Sequence, residues 1–309
     1  MLSKRPKVSI VIPTFNRAHL VEKAILSALK QSMEDFEIIV VDDGSTDNTS
    51  AVLAKYGNKI RVVKHTKNRG VCAAKNTGLD HIRGEWFTIL DSDDEMVEDA
   101  LEVFLNVSKK IDSRVNAITC NCIDSSTGKF SGLGLDSDQF LSQETILTKI
   151  SGEFWGLTKT ELLGDKRLNE NLPGWEFTLW YQIDAIARRY YIHKALRIYN
   201  TNEGNSVTKG NRKKNVYKKA EIYKTLTSES GYWQILKKHN LSKLRNHCLK
   251  GIFFLRIAGD RQGVEFYRNL LKFNRPGLIF LFLIWIIYFT KPAVLSQMYQ
   301  CLPLNKIKL

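Results

Sequence analysis

Residues Lys7–Asp47, KVSIVIPTFNRAHLVEKAILSALKQSMEDFEIIVVDDGSTD, hold the decision about the fold. An apolar run of strand length, Val8 to Ile12, ends in the polar cluster PTFNR. Leu20, Val21, Ala24, Ile25, Ala28 and Leu29 then recur at helical spacing as one apolar stripe. A second β-rich run, FEIIVVDD, ends in DDGSTD, and Ser45 to Asn48 offer caps for a following helix. Two strands joined by a helix make the unit from which parallel sheets are built.

The unit continues downstream. IRVVKH reads as a third strand, GVCAAKNTGLDHI as a helix, EWFTIL as a fourth strand, MVEDALEVFLNVSKK as a helix and VNAITCNCID as a fifth strand. This alternation predicts an α/β fold, a doubly wound, mostly parallel sheet with helices on both faces. Such sheets bind ligands outside the carboxyl ends of their strands. PTFNR, DDGSTD, HTKNRG and DSDD follow the four strands in turn, so all four polar clusters are expected on that one edge.

After about residue 125 the pattern changes. SSTGKFSGLG reads as a loop or hairpin, GEFWGLTKTELL as a strand leading into a helix, and PGWEFTLWYQIDAIARR as a helix entered through Pro173–Gly174. Helical patterns dominate from Asn215, and LRIAGDRQGVEFYRNLLKF reads as two helices turned at Gly259–Asp260. The expected division is an α/β domain over 1–210, with halves 1–110 and 111–210, followed by a helical region over 211–309.

Charge separates the same two regions. The chain of 309 residues carries a formal net charge of +14, yet residues 211–309 hold 19 Lys/Arg against 4 Asp/Glu. A near-neutral body thus carries a basic tail, which predicts contact with an anionic surface. PGLIFLFLIWIIYFT, residues 276–290, is uncharged; as a helix it would reach roughly 22 Å, short of a ~30 Å hydrocarbon core. It is read as an interfacial or partly inserted helix anchored by Trp285, Tyr288 and flanking cations, with a buried core helix and a true span that recruits neighbouring residues as the other readings. The basic residues accompany an apolar run rather than a nucleic-acid motif, so a membrane surface is expected and nucleic acid is not. The five cysteines form no C-x-x-C pair, which fits reduced thiols better than a disulfide framework or a zinc site.

The polar clusters exclude several chemistries. PTFNR has no glycine, so a nicotinamide-binding G-x-G-x-x-G is absent, as is a Walker A loop. A calcium loop starting at Asp42 would need an acid at its twelfth position, which is Leu53. A phosphoreceiver would need its aspartates after the first strand. Asp42 and Asp43 either accept the N–H of a nucleobase and ribose hydroxyls or serve as turn and cap residues. In WFTILDSDDEM, residues 86–96, Asp91, Asp93 and Asp94 follow a buried-looking strand. They form either a capped turn or a magnesium or manganese site completed by substrate phosphates.

In order and spacing, VSIVIPTFNR, ILSALKQS, FEIIVVDDGSTDNT and NRGVCAAKNTGLDHIRGEWFTILDSDD resemble the inverting nucleotide-sugar transferases of glycosyltransferase family 2, of the bacterial surface-polysaccharide type. The match is close over about residues 6–110 and is recognisable again at LPGWEFTLW. The resemblance implies the GT-A fold, with Pro13, Thr14 and Asn16 lining a nucleotide pocket and Asp43, with Asp42, reading the base. It implies Lys75 near the ribose and diphosphate, Asp91 and Asp93 as a D-x-D motif facing ribose and metal, and Asp94 assisting either. Inversion needs a general base for the acceptor hydroxyl. Where the family commonly has Glu-Asp, this chain has Trp175 and Glu176; Glu176 is taken as the base, or else it caps its helix. The implied protein is a metal-dependent hexosyltransferase using Mn2+ or Mg2+ and a UDP-sugar, with a glycan or lipid-linked acceptor. It would work as a peripheral or monotopic protein at the cytoplasmic face of the plasma membrane. The departure at the base motif motivates an alternative, a catalytically silent sugar-nucleotide-binding or scaffold protein.

Overall fold

The computed structural model describes residues 5–201, 212–272 and 278–301. The chain forms two compact units, residues 1–203 and 204–309. The expected boundary at 210 lies outside the described residues.

The first unit contains β1 (Val8–Thr14), α1 (Ala18–Leu29), β2 (Phe36–Asp42), α2 (Thr49–Ala54), β3 (Arg61–Lys64), α3 (Val71–Asp80), β4 (Trp86–Ile89) and β5 (Glu95–Met96). It continues with α4 (Ala100–Ile111), β6 (Ala117–Asp124), β7 (Gln139–Leu141), α5 (Gln143–Thr148), β8 (Phe154–Lys159), α6 (Phe177–Asp184) and β9 (Arg189–Tyr199). One sheet runs β3-β2-β1-β4-β8-β6-β9-β5, with β7 added on β9. β1 pairs in parallel with β2 and β4, and β2 with β3, as the alternation of strand and helix predicts.

Both faces of this half are covered, which explains its near-continuous apolar strands. Val8, Ile10 and Ile12 pack with Val21, Ala24 and Ile25 of α1 and Leu101 and Phe104 of α4. Val11, Ile39 and Val41 face the other way, onto Ala74 of α3. α3 lies very close to the sheet because it is made of small residues there. A Cβ at Gly78 would stand 2.2 Å from Val11 Cγ1.

Beyond β4 the sheet is mixed. β8 runs antiparallel to β4 and β6, β6 is parallel to β9, and β5 and β7 are antiparallel to β9. Two sequence expectations change here. Met96 does not start a helix: Asp94 N–H donates to Asp91 O at 3.0 Å, and the turn delivers Glu95 and Met96 to Ile198 and Arg197 of β9. The helix expected through Arg189 ends earlier, and β9 was not anticipated at all.

The second unit is helical: α7 (Arg212–Leu226), α8 (Ser230–His239), α9 (Leu241–Ala258), α10 (Arg261–Lys272), α11 (Leu278–Phe289) and α12 (Pro292–Cys301). α9 and α10 meet at Gly259–Asp260, as expected. Cys248, Ile252 and Leu255 of α9 are buried, as is Tyr267, whose hydroxyl donates to Tyr223 O at 2.7 Å. Phe282, Trp285, Tyr288 and Phe289 of α11 are exposed. Their i, i+3, i+6, i+7 spacing puts them on one side of the helix. Residues 276 and 277 lie outside the described residues; among those described, no helix is long and apolar enough to cross a membrane. Cys72, Cys120, Cys122 and Cys248 are buried free thiols.

Candidate active site

The parallel register assembles the site. Thr14 stands beside Asp42 and Val11 beside Ile89, so PTFNR, DDGSTD and DSDD emerge side by side. Leu90 N–H still donates to Val11 O at 2.9 Å, and the DSDD turn begins one residue later.

The first two clusters clip together. Asn16, in the left-handed region at φ 50, accepts from Thr46 N–H at 2.8 Å, while its own N–H donates to Ser45 Oγ at 2.9 Å. Asp47 Oδ2 accepts from Ala18 N–H at the start of α1. Gly44, at φ +74, is required: a Cβ there would fall 2.5 Å from the Lys67 backbone. Thr14 Oγ1 is buried without a hydrogen-bond partner, a polar atom at the strand edge whose need a ligand would meet.

Asp42 and Asp43 are 0 % and 2 % exposed, and the chain itself uses their carboxylates. Asp42 Oδ1 accepts from Ser45 N–H at 2.9 Å. Asp43 accepts from Arg69 and Gly70 N–H, both at 2.8 Å, and pairs with His65 Nδ1 at 2.6 Å. His65 Nε2 in turn meets Thr77 Oγ1 at 2.9 Å, tying the loop after β3 to α3. The expected base readers are therefore also the struts of the loops around them.

The centre of the site is a charge cluster drawn from four segments. Lys75, on α3, is 8 % exposed and puts Nζ 3.0 Å from Asp91 Oδ1 and 3.6 Å from Glu176 Oε1. Burial works against its charge, but Asp91 and then Glu176 outweigh burial and raise its pKa above the ordinary lysine value. Burial likewise acts to raise Asp91, yet Lys75 and Arg197 hold its carboxyl at about 2. Asp91 stays ionised throughout the physiological range.

Arg197, on β9, was missed by the sequence reading. It donates from Nε to Asp94 Oδ2 at 2.8 Å, also bonds that oxygen through Nη2, and lies 3.5 Å from Asp91 Oδ2. Its only signal was a cation at an alternate position in the apolar run KALRIY. Asp94, grouped in sequence with Asp91 and Asp93 as a metal ligand, differs from them in burial and partners. Asp94 is 1 % exposed, with Oδ2 on Arg197 and Oδ1 accepting from Asn200 N–H at 2.9 Å, whereas the Asp91 and Asp93 side chains are 38 % and 22 % exposed. Burial raises the Asp94 carboxyl against the opposing pull of Arg197. Asp93 pairs instead with Arg17, Nη1 to Oδ2 at 2.5 Å.

Glu176 stands at the N-terminal boundary of α6 but makes no side-chain cap hydrogen bond. Its carboxylate lies beside Lys75, within the same cluster as Asp91. Trp180 stacks on Phe87 at 6.4 Å and packs with the α3–α6 core, so it is a packing residue. Trp155 is also buried, donating to Ile89 O at 2.9 Å.

A parallel half-sheet with clustered carboxylates at its carboxyl edge, continued by a mixed half that brings a further acid, is the architecture of a GT-A-type transferase. The sequence pattern of glycosyl transferase family 2 matches residues 9–160. The "GalNAc(5)-diNAcBac-PP-undecaprenol beta-1,3-glucosyltransferase" of Campylobacter jejuni is 35 % identical over 295 residues, covering 90 % of this chain and 93 % of that protein. The hyaluronan synthase of Pasteurella multocida is 32 % identical over 155 residues, 50 % of this chain and 16 % of that one. The chain belongs to glycosyltransferase family 2 and is a glycosyltransferase.

Solved structures agree on the fold. S. aureus TarS 1-349 in complex with UDP-GlcNAc superposes with a TM-score of 0.62 at 22 % identity, covering 81 % of this chain and 72 % of that one. The mannosyltransferase PcManGT from Pyrobaculum calidifontis, in complex with GDP-Man and Mn2+, gives 0.50 at 17 % identity, covering 96 % and 85 %.

Proposed function

We propose that this protein transfers a sugar from a UDP-sugar, with inversion, to a hydroxyl of a lipid-linked glycan acceptor in cell-surface polysaccharide assembly, and that it uses Mn2+ or Mg2+. The observation that carries the reading is the convergence of Asp91 from the turn after β4, Lys75 from α3 and Glu176 from the start of α6. The undecaprenol-linked substrate in the name of the Campylobacter relative supports the acceptor class.

The residues present fit a divalent ion bound together with the donor. Among the described residues no three His, Cys, Asp or Glu gather as a metal site. Magnesium and manganese, however, need only one or two protein carboxylates when water and substrate phosphates complete the shell. Asp93 and Asp91, two apart in a turn and partly exposed, supply that number. When bound, the ion offsets the charge that develops on the departing nucleoside diphosphate.

The chain's own groups do the rest. Thr14 and Asn16 border the nucleotide, Asp43 and Asp42 hold the surrounding loops, and Lys75 keeps Asp91 ionised and in place. Glu176 accepts the proton of the acceptor hydroxyl as it attacks the anomeric carbon from the face opposite the diphosphate.

A panel of nucleotide sugars with Mn2+, read by thermal melting, tests the donor. At a hundred times Kd a true donor stabilises by about 2.7 kcal/mol, a rise of about 5–10 °C for a unit of this size. Asp93→Ala loses that rise in Mn2+ and loses metal-dependent transfer. If no nucleotide sugar shifts the wild-type melting temperature, the reading is wrong.

The basic second unit is proposed to hold the enzyme on the cytoplasmic leaflet. Between Phe266 and Leu309 the chain has six Lys/Arg and no Asp/Glu, and this stretch contains the exposed aromatics of α11. Wild type is expected to float with phosphatidylglycerol liposomes, less at high salt. The triple variant Phe282→Asp/Trp285→Asp/Phe289→Asp stays behind, because three charges replace the side that would enter the interface. Flotation equal to wild type would refute the role given to α11.

A further inference from the structure

Each of the three aspartates of the DSDD turn has a cation beside it. Lys75 is on Asp91, Arg197 is on Asp94 and also near Asp91, and Arg17 is on Asp93. The three cations are not equivalent. Lys75 and Arg197 side chains are 10 % and 5 % exposed, and each spans two carboxylates. Arg17 is 21 % exposed and holds Asp93 through one nitrogen.

The backbone of Arg17 is fixed without that side chain. Its N–H donates to Thr49 Oγ1 at 3.3 Å, and its carbonyl accepts from Leu20 and Val21 N–H at the first turn of α1. The guanidinium can therefore swing while α1 keeps its start.

We propose that Arg17 occupies the divalent-cation position on Asp93 in the donor-free protein and transfers to the donor diphosphate when donor and cation bind together. The proposal rests on the metal-dependent reading above. A 2+ ion and a guanidinium repel each other on one carboxylate oxygen, so ion entry releases Arg17. The arriving diphosphate then offers oxygens that match the guanidinium fork better than a single carboxylate contact does. Metal and donor would thus be taken up together, with the free ion disfavoured when no donor is present.

Two binding measurements on the full chain move in opposite directions. Free Mn2+ in a titration of donor-free protein, read by electron paramagnetic resonance, should show Arg17→Ala binding the ion roughly three- to fivefold more tightly than wild type, the scale of a partly exposed ion pair. Calorimetry of UDP in saturating Mn2+ should show the same variant binding roughly tenfold more weakly, as expected on losing a charged hydrogen-bond donor to phosphate. Arg17→Lys, which keeps the charge without the fork, should fall between on the UDP arm. A variant that simply loosens the site would weaken both arms, and that result overturns the proposal, as does an unchanged value on either arm. UDP binding by wild type with no effect of Arg17→Ala sinks this proposal alone; no UDP binding by wild type, with or without Mn2+, sinks it together with the function.

Discussion

Glu176→Gln should cut turnover by about 10²–10⁴-fold, the usual contribution of a positioned general base, while donor affinity stays within a factor of about two. Glutamine keeps the shape and most of the packing of glutamate but cannot take a proton at neutral pH. Glu176 makes no cap hydrogen bond to α6, so replacing its charge removes little from the helix beyond its interaction with the dipole. The proposed donor contacts lie at the ends of β1 and β2 and in the DSDD turn, none of which contains this residue. Measuring kcat and the UDP dissociation constant on the same preparation separates the two effects. A fall of less than about threefold in kcat would return Glu176 to a structural role and leave the base unassigned.

Arg197→Met should destabilise the first unit by about 3–5 kcal/mol, because it leaves Asp94 buried without its counter-charge. At 2–4 °C per kcal/mol this is a fall of roughly 6–20 °C in melting temperature. The deficit should depend on pH in a stated direction. Burial raises the folded-state pKa of Asp94, and without Arg197 nothing of comparable strength opposes it. Between the unfolded value near ~4 and the raised folded value, the folded variant binds more protons than the unfolded chain. In wild type this carboxyl is already raised to about 7 with Arg197 in place, so the variant's further rise makes the gap to wild type narrow as pH falls towards 7 and leaves it nearly level below about pH 6. Adding Asp94→Asn should recover part of the loss at pH 7. A gap that is constant with pH, or no recovery in the double variant, would show that Arg197 acts through packing alone.

The site was legible where its residues sit at the ends of regular strands. Asp91 and Asp93 come just after a strand with three of its four residues buried, and Thr14 and Asp42 end two longer apolar runs, so period and polarity were enough to put them on one edge. Lys75 became legible only through the family resemblance, since one lysine in a run of small helical residues reads as surface. It is buried because the small residues of α3 let the helix lie against β1. Arg197 was not legible. It lies 103 residues from Asp94 and reaches it only because β9 pairs beside β5. The pairing of Arg17 with Asp93 was hidden for the same reason, although both residues stood inside recognised motifs.

By itself the sequence determined the parallel half of the sheet, the common edge of its polar clusters, the basic tail and its apolar helix. These follow from local periodicity and charge, which need only neighbouring residues. Tertiary structure alone decided which cation meets which aspartate, the mixed order of the second half, and the separation of Asp94 from the exposed pair. An ion pair is set by distances across the fold, and the chain spacing of its members carries no trace of them.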